Sequence, residues 1–192
     1  MVGLGNPGRR YASTRHNLGF MAVDALVGRW RAGEGRRAFS GVLYDARPQR
    51  PGADPRRVML LTPHTYMNRS GQAVRALADF YKAQPQDVLV VLDDLALPVG
   101  RIRARAQGSS GGHNGLADVL AAVGGQDVPR LRIGIGPVPE GVDAMDFVLR
   151  PFEPGELEMI RPAVETACEA VEDWVFDGIE CVMERYNRKQ EN

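Results

Sequence analysis

Hydrophobic positions along the chain follow two rhythms: short continuous runs, and longer stretches where apolar residues recur every three or four positions. The first short run, Val2 to Leu4, is the stub of a strand and ends in the turn Gly5-Asn6-Pro7-Gly8. Asn17 to Trp30 sets Leu18, Met21, Ala22, Ala25 and Leu26 at helical spacing, and Arg31 to Arg37 is a charged, glycine-containing break. Gly41 to Ala46 and Val58 to Leu61 read as strands, separated by a Pro/Gly/Arg-rich loop from Arg47 to Arg57. Ser70 is placed to cap a helix with Ala73, Val74, Leu77 and Tyr81 on one face. Asp87 to Leu92 is continuously apolar after its first residue, as in a central strand covered on both faces.

Arg101 to Arg105 alternates basic and apolar residues, the pattern of a half-exposed strand. A glycine/serine loop, Gly108 to Gly112, leads into a short helix from Leu116 to Val123, and Leu131 to Ile135 is a further strand. From Glu156 to about Arg188 the pattern is helical, with a kink expected at Pro162 and a break at Gly178. Strands interleaved with helices predict an α/β fold. The chain shows no internal repeat, low-complexity tract or linker, so residues 1–192 are expected to form a single domain.

Composition changes this picture little: 44% hydrophobic and 25% charged residues are ordinary for a soluble protein. No apolar run approaches the ~20 residues of a membrane helix, and the opening MVGLGNPGRR lacks the apolar centre of a signal peptide. The two cysteines, Cys168 and Cys181, lie in a helical stretch without metal-ligand spacing. A reduced, cytoplasmic protein with idle thiols is therefore expected. The zero net charge conceals an asymmetry. Residues 1–139 carry 19 Lys+Arg against 10 Asp+Glu, whereas residues 140–192 carry 5 against 14. A basic body of this kind points towards a polyanionic partner, although acidic helix faces can simply be solvated.

Gly3, Gly5 and Gly8 satisfy G-x-G-x-x-G, the dinucleotide-binding spacing. That motif needs a full strand before it and free N–H groups within it, whereas here at most four residues precede Gly5 and Pro7 removes a donor. His16 lies just before the first helix, at the end of a β-to-helix connection, and its unperturbed pKa of ~6.5 suits a general base. Thr65-Tyr66-Met67-Asn68 is a second strand-end loop. Asp93-Asp94 follows the central strand, where a carboxylate can orient an imidazole or merely cap a turn. Gly108 to Gly115, with His113 and Asn114, gives backbone that a ligand can approach closely.

Taken in order, GLGNPG, the run Tyr11, Thr14, Arg15, His16, Asn17, the segment Thr65 to Gly71, the strand-end Asp93 and Gly108 to Gly115 resemble the bacterial-type peptidyl-tRNA hydrolases. Arg130 to Pro137 and Phe147 to Phe152 extend the likeness over nearly the whole chain. The resemblance implies an α/β domain with a twisted, mixed, largely parallel sheet flanked by helices. It implies hydrolysis of the ester joining a peptide to the 3′ end of tRNA, by water activated at His16, without a covalent intermediate, cofactor or metal. Asp93 would orient His16, and Asn6 would help stabilise the oxyanion. Asn6, Asn68 and Asn114 match asparagines that position the peptide, the ribose end and the attacking water. Tyr11 and His113 are further candidates for contact with the substrate. Met67 matches a position shaping the peptide channel, although a core methionine is an equal reading; Tyr66 is expected to pack. Arg103, Arg105 and Arg132 fall where the family clamps the 5′ phosphate, while Arg130 has no clear place. The implied partner is the acceptor arm of a peptide-carrying tRNA, met by a monomer away from membranes.

Leu92 and Ala96 depart from the family, which often has histidine and aspartate there, and the first strand is shorter than usual. Two other readings remain. A non-catalytic RNA-binding relative would bind RNA without cleaving the ester, and a nucleotide-dependent oxidoreductase would be stabilised by NAD or NADP.

Overall fold

The structure, a computed structural model, describes residues 1–188. Seven strands form one sheet: β1 (Val2–Gly3), β2 (Arg36–Ala38), β3 (Gly41–Ala46), β4 (Val58–Pro63), β5 (Val90–Pro98), β6 (Ile102–Arg105) and β7 (Arg130–Gly136). They lie in the order β2-β3-β4-β1-β5-β7-β6. The inner four are parallel and the edges antiparallel, the predicted mixed sheet. From β1 the chain passes to strands on one side, then returns to β5 and β7 on the other, so the connections diverge where β1 meets β5. Crevices form at such points, outside the carboxyl ends of the strands.

Helices cover both faces. On one lie α1 (Leu18–Arg29), α5 (Pro154–Asp177) and α6 (Ile179–Arg188), packed on Leu89, Val91, Leu131 and Ile133. On the other lie α2 (Ser70–Tyr81) and α3 (Asn114–Val123), packed on Val90, Leu92 and Leu61. A five-residue helix, α4 (Ala144–Val148), stands at the rim. Successive strand side chains point to opposite faces, and that alternation decides the fate of the two aspartates. Asp93 continues the row Leu89, Val91 towards α1, whereas Asp94 continues Val90, Leu92 towards α3.

Two glycines let α1 lie directly on the sheet. A Cβ at Gly3 would collide with the carbonyl oxygen of Gly19, and one at Gly19 with the backbone of Leu4 and Val91. This close approach brings the residues just ahead of α1, His16 among them, over the end of β5.

Several expectations are corrected. β5 does not end at Leu92 but runs to Pro98, with a register shift after Asp94, so both aspartates lie within it. Ser70 does not cap α2: it is the first helical residue, and its hydroxyl donates to the Met67 carbonyl at 2.9 Å. The break after α1 contains the short strand β2, and α4 carried no periodic signal because it is five residues long. α5 continues through Pro162, whereas Gly178 does separate α5 from α6 at φ 86°. Tyr66 is 52% exposed with φ 61°, so it is not a packing residue. Both cysteines are free; burial pushes the Cys168 thiol up to about 12, against the opposing pull of Arg29.

The edge strand β6 is sealed by α6. Asn187 accepts from the Ala104 N–H at 2.9 Å and donates to its carbonyl at 3.1 Å, so a side-chain amide stands in for a neighbouring strand. Much of the acidic C-terminal charge is spent internally. Glu156 pairs with Arg15, Glu165 with Arg29, and Asp173 with both Arg50 and Arg185. Among the described residues, no helix is long and apolar enough to cross a membrane.

Candidate active site

A cavity of about 460 Å³ opens at the carboxyl ends of β1, β4 and β5. His16, in the short 3-10 turn Arg15–Asn17 that opens α1, lines it together with Asn6, Met67, Asn68, Asp93, His113 and Asn114. Residues predicted from five separate stretches thus converge on one space.

The His16 ring donates through Nδ1 to Asp93, 2.9 Å from Oδ1 and 3.0 Å from Oδ2. His113 approaches the same carboxylate from the glycine-rich loop, with Nε2 at 3.1 Å from Oδ1. Its Nδ1 accepts the Leu116 N–H at 3.2 Å, capping α3. An atom that accepts a hydrogen bond carries no proton, so the His113 proton sits on Nε2 and points at Asp93. Asp93 is only 2% exposed. Burial alone would raise its pKa, but the two imidazoles outweigh this and hold the carboxyl well below the usual carboxylate range. An ionised carboxylate only accepts, so His16 must present Nδ1–H to it. In the neutral ring the other His16 nitrogen, Nε2, then carries the lone pair that a general base requires.

Asn6 is likewise fixed at one end. Its Oδ1 accepts the Met67 N–H at 2.9 Å, and the amide Nδ2 has no partner among the described residues and so is a donor for the cavity. Asn17 holds the Asn6 backbone, accepting its N–H at 2.8 Å and donating to its carbonyl at 3.0 Å. The glycine-rich turn thus has its Asn6 N–H engaged within the protein, and Gly3 and Gly5 serve close packing against α1. Both facts run against phosphate cradling there. The only sequence signal for this role of Asn17 is its place beside His16 in the Thr14-to-Asn17 run.

Asp94 takes the humbler task. Oδ1 accepts the Ala96 N–H at 2.8 Å and Oδ2 the Arg132 guanidinium at 3.0 Å. Arg132 lines the cavity and also donates to the Ser110 carbonyl at 2.9 Å. Buried Arg130 donates to the Gly108 and Ser109 carbonyls, so the two arginines staple the glycine/serine loop. Burial, then the charge of Arg132, lowers the Arg130 pKa to about 10. Arg103 lies opposite Arg132 and Arg105 opposite Arg130 across the β6–β7 ladder. Cross-strand partners share a face, which makes a row of four guanidiniums, two fastened and two exposed.

Two predicted contacts are placed differently. Tyr11 does not line the cavity; it sits in the turn Arg9–Tyr11 with the Arg10 guanidinium 4.5 Å from its ring centre. His113 has both nitrogens engaged within the protein, so it supports Asp93 rather than offering a nitrogen to a ligand. Met67 satisfies both of its readings, being buried and lining the cavity. An apolar wall of Met145, Val148 and Leu149 from α4 and its end, with Leu95 and Tyr66, was not foreseen. The quoted segment beginning at Phe147 was its only trace in the sequence.

His16, Asp93 and His113 form the one group of His, Cys, Asp or Glu among the described residues close enough to share a metal ion. Their hydrogen bonds already satisfy one another, with protons on both nitrogens that face the carboxylate.

A parallel-centred α/β sheet carrying an imidazole–carboxylate pair in a polar-floored, apolar-walled cleft defines an enzyme of acid–base chemistry. The comparisons narrow the class. The family model for peptidyl-tRNA hydrolase matches residues 1–192. A peptidyl-tRNA hydrolase of Rhodopirellula baltica is 46% identical over 187 residues, covering 97% of this chain and 96% of its own. One of Symbiobacterium thermophilum is 47% identical over 187 residues, covering 97% of each chain. The crystal structure of peptidyl-tRNA hydrolase from Acinetobacter baumannii superposes with a TM-score of 0.87 at 36% identity, covering 97% of this chain and 92% of that one. The chain belongs to the peptidyl-tRNA hydrolase family.

Proposed function

We propose that the protein hydrolyses the ester bond between a peptide, or an N-blocked amino acid, and the 3′ ribose of tRNA, with His16 as general base. The observation that carries this reading is the His16–Asp93 contact: the carboxylate oxygens lie 2.9 and 3.0 Å from Nδ1, which favours a proton there and supports Nε2 as the acceptor for a water in the cavity. Water attacks the ester carbonyl carbon as Nε2 takes its proton. Ionised Asp93 stabilises the imidazolium without taking the proton. The carbonyl oxygen becomes an oxyanion within reach of Asn6 Nδ2, a role in which one lost donor costs ~3–4 kcal/mol. The imidazolium then returns the proton to the departing ribose oxygen, freeing tRNA and a peptide acid. A hydroxyl leaves more readily than an amine, so one imidazole suffices.

Asn68 and Asn114 offer both donors and acceptors to the ribose end and the water, and the α4 wall faces the peptide. Arg103 and Arg105 meet the acceptor-arm phosphates, while Arg132, tied to Asp94, joins that surface to the cleft. Such contacts set register and salt dependence rather than sequence preference. The partner is thus a tRNA with its 3′ CCA end in the cavity, met by a monomer in the cytoplasm. Release of N-blocked amino acid from its tRNA, wild type beside His16→Ala, tests the proposal. Equal turnover by the two would remove His16 from the chemistry.

A further inference from the structure

Arg15, the neighbour of His16, is 4% exposed and does not line the cavity. Its guanidinium reaches across to the segment after α4. Nη1 donates to the carbonyls of Pro151 at 2.8 Å and Arg150 at 3.3 Å, and Nη2 to Glu156 Oε2 at 2.5 Å. Its plane lies over Phe147 of α4, 4.2 Å from the ring centre, and 5.4 Å from that of Phe152. The backbone repeats the connection: Arg15 N–H donates to the Arg150 carbonyl at 3.1 Å, and Thr14 bridges to Pro151. Glu156 is shared in turn, accepting the Glu153 N–H that closes the capping box of α5.

We infer that Arg15 is a positioning residue that fastens the His16 turn and the α4 wall to a single anchor, so that the base and the peptide-side surface keep a fixed separation. This rests on the function proposed above. A burial this complete costs a cation several kcal/mol unless it is paired; the anchor supplies two carbonyls, one carboxylate and two ring faces, and only Nε has no hydrogen-bond partner among the described residues. α4 is five residues long and cannot hold itself in place; its Phe147 lies under the guanidinium, while Met145 and Leu149 reach the cavity. Lysine could replace the charge but not the planar fork or the stacking.

The test compares wild type, Arg15→Lys and Glu156→Gln on two tRNA esters, one carrying an N-acetylated amino acid and one a peptide of several residues. Arg15→Lys is expected to lower kcat about tenfold on both esters. It should also raise KM several-fold more for the peptide ester, because the wall has shifted. Glu156→Gln, which keeps the fork, should give the same pattern at a smaller size. Equal KM changes on the two esters, or a kcat loss that merely follows the loss of melting temperature, would overturn the inference. The His16 ring resonances give a readout free of activity. They should shift in Arg15→Lys and keep their wild-type positions in Leu77→Ala, a variant at the opposite end of the sheet. Unchanged resonances in Arg15→Lys refute the anchor, whereas absence of wild-type ester cleavage refutes the proposed function alone.

Discussion

Two hollows lie at opposite ends of the same strands. The one at the amino ends is the roomier, about 670 Å³ against 460 Å³, and is lined by Met1, Val58, Leu77, Tyr81, Val88 and Trp174 among others. At the carboxyl ends, the smaller hollow holds two imidazoles on one buried carboxylate and three carboxamides. Size does not separate them. What does is whether fixed polar groups converge with a lone pair or a donor left over. At the amino ends, the buried polar group is the Met1 amine, satisfied by the Met59 carbonyl at 2.8 Å. At the carboxyl ends, His16 Nε2 and Asn6 Nδ2 are held by their other ends and remain available. Parallel strands bring loops of several connections to that one edge, which is why the surplus gathers there.

The largest expected effect falls on the carboxyl-end hollow. His16→Ala should lower kcat by ~10²–10⁴ with tRNA binding and melting temperature retained; a proportional loss of binding in a filter assay would break the comparison. Next comes pH. The depressed pKa of Asp93 contributes stability that is present above ~3.9, the unfolded value, and is lost as pH falls into stronger acid; acid denaturation should show this limb in wild type and lack it in Asp93→Asn.

A cavity-forming change at the amino ends should cost stability without touching chemistry. Leu77→Ala should destabilise by about 2–4 kcal/mol, read as a lower melting temperature with kcat unchanged. A kcat effect at permissive temperature would show the two ends to be coupled. The smallest effect belongs to the exposed arginines. Arg105→Ala should raise KM several-fold and reduce the salt slope of binding by about one, leaving kcat alone. A change in kcat with constant KM would move Arg105 from the tRNA surface into the chemistry.

The charge asymmetry also resolves by region. A large part of the acidic C-terminal helices neutralises the basic body from within, through Arg15, Arg29 and Arg50. Arg103 and Arg105 form no ion pair among the described residues and stay exposed. The net count therefore understated the internal pairing, while the edge strand keeps its cations facing outward.

Local pattern by itself determined most of the elements, the α/β class, and the five stretches that meet at the cleft. Periodicity, glycine turns and motif order are properties of neighbours in sequence. It missed β2 and α4, which are too short to show a period, and it ended β5 early because polar residues interrupt the apolar run. The resemblance already singled out Asp93, and the folded chain supplies the reason, since the pleat turns it towards α1 and turns Asp94 towards Arg132. It likewise decided that His113 supports the carboxylate, that Tyr11 stands outside the cavity, and that buried Arg15 ties His16 to α4. Each of these depends on residues tens of positions apart coming within hydrogen-bonding distance. Distance through space is fixed by packing, and the linear pattern does not encode it.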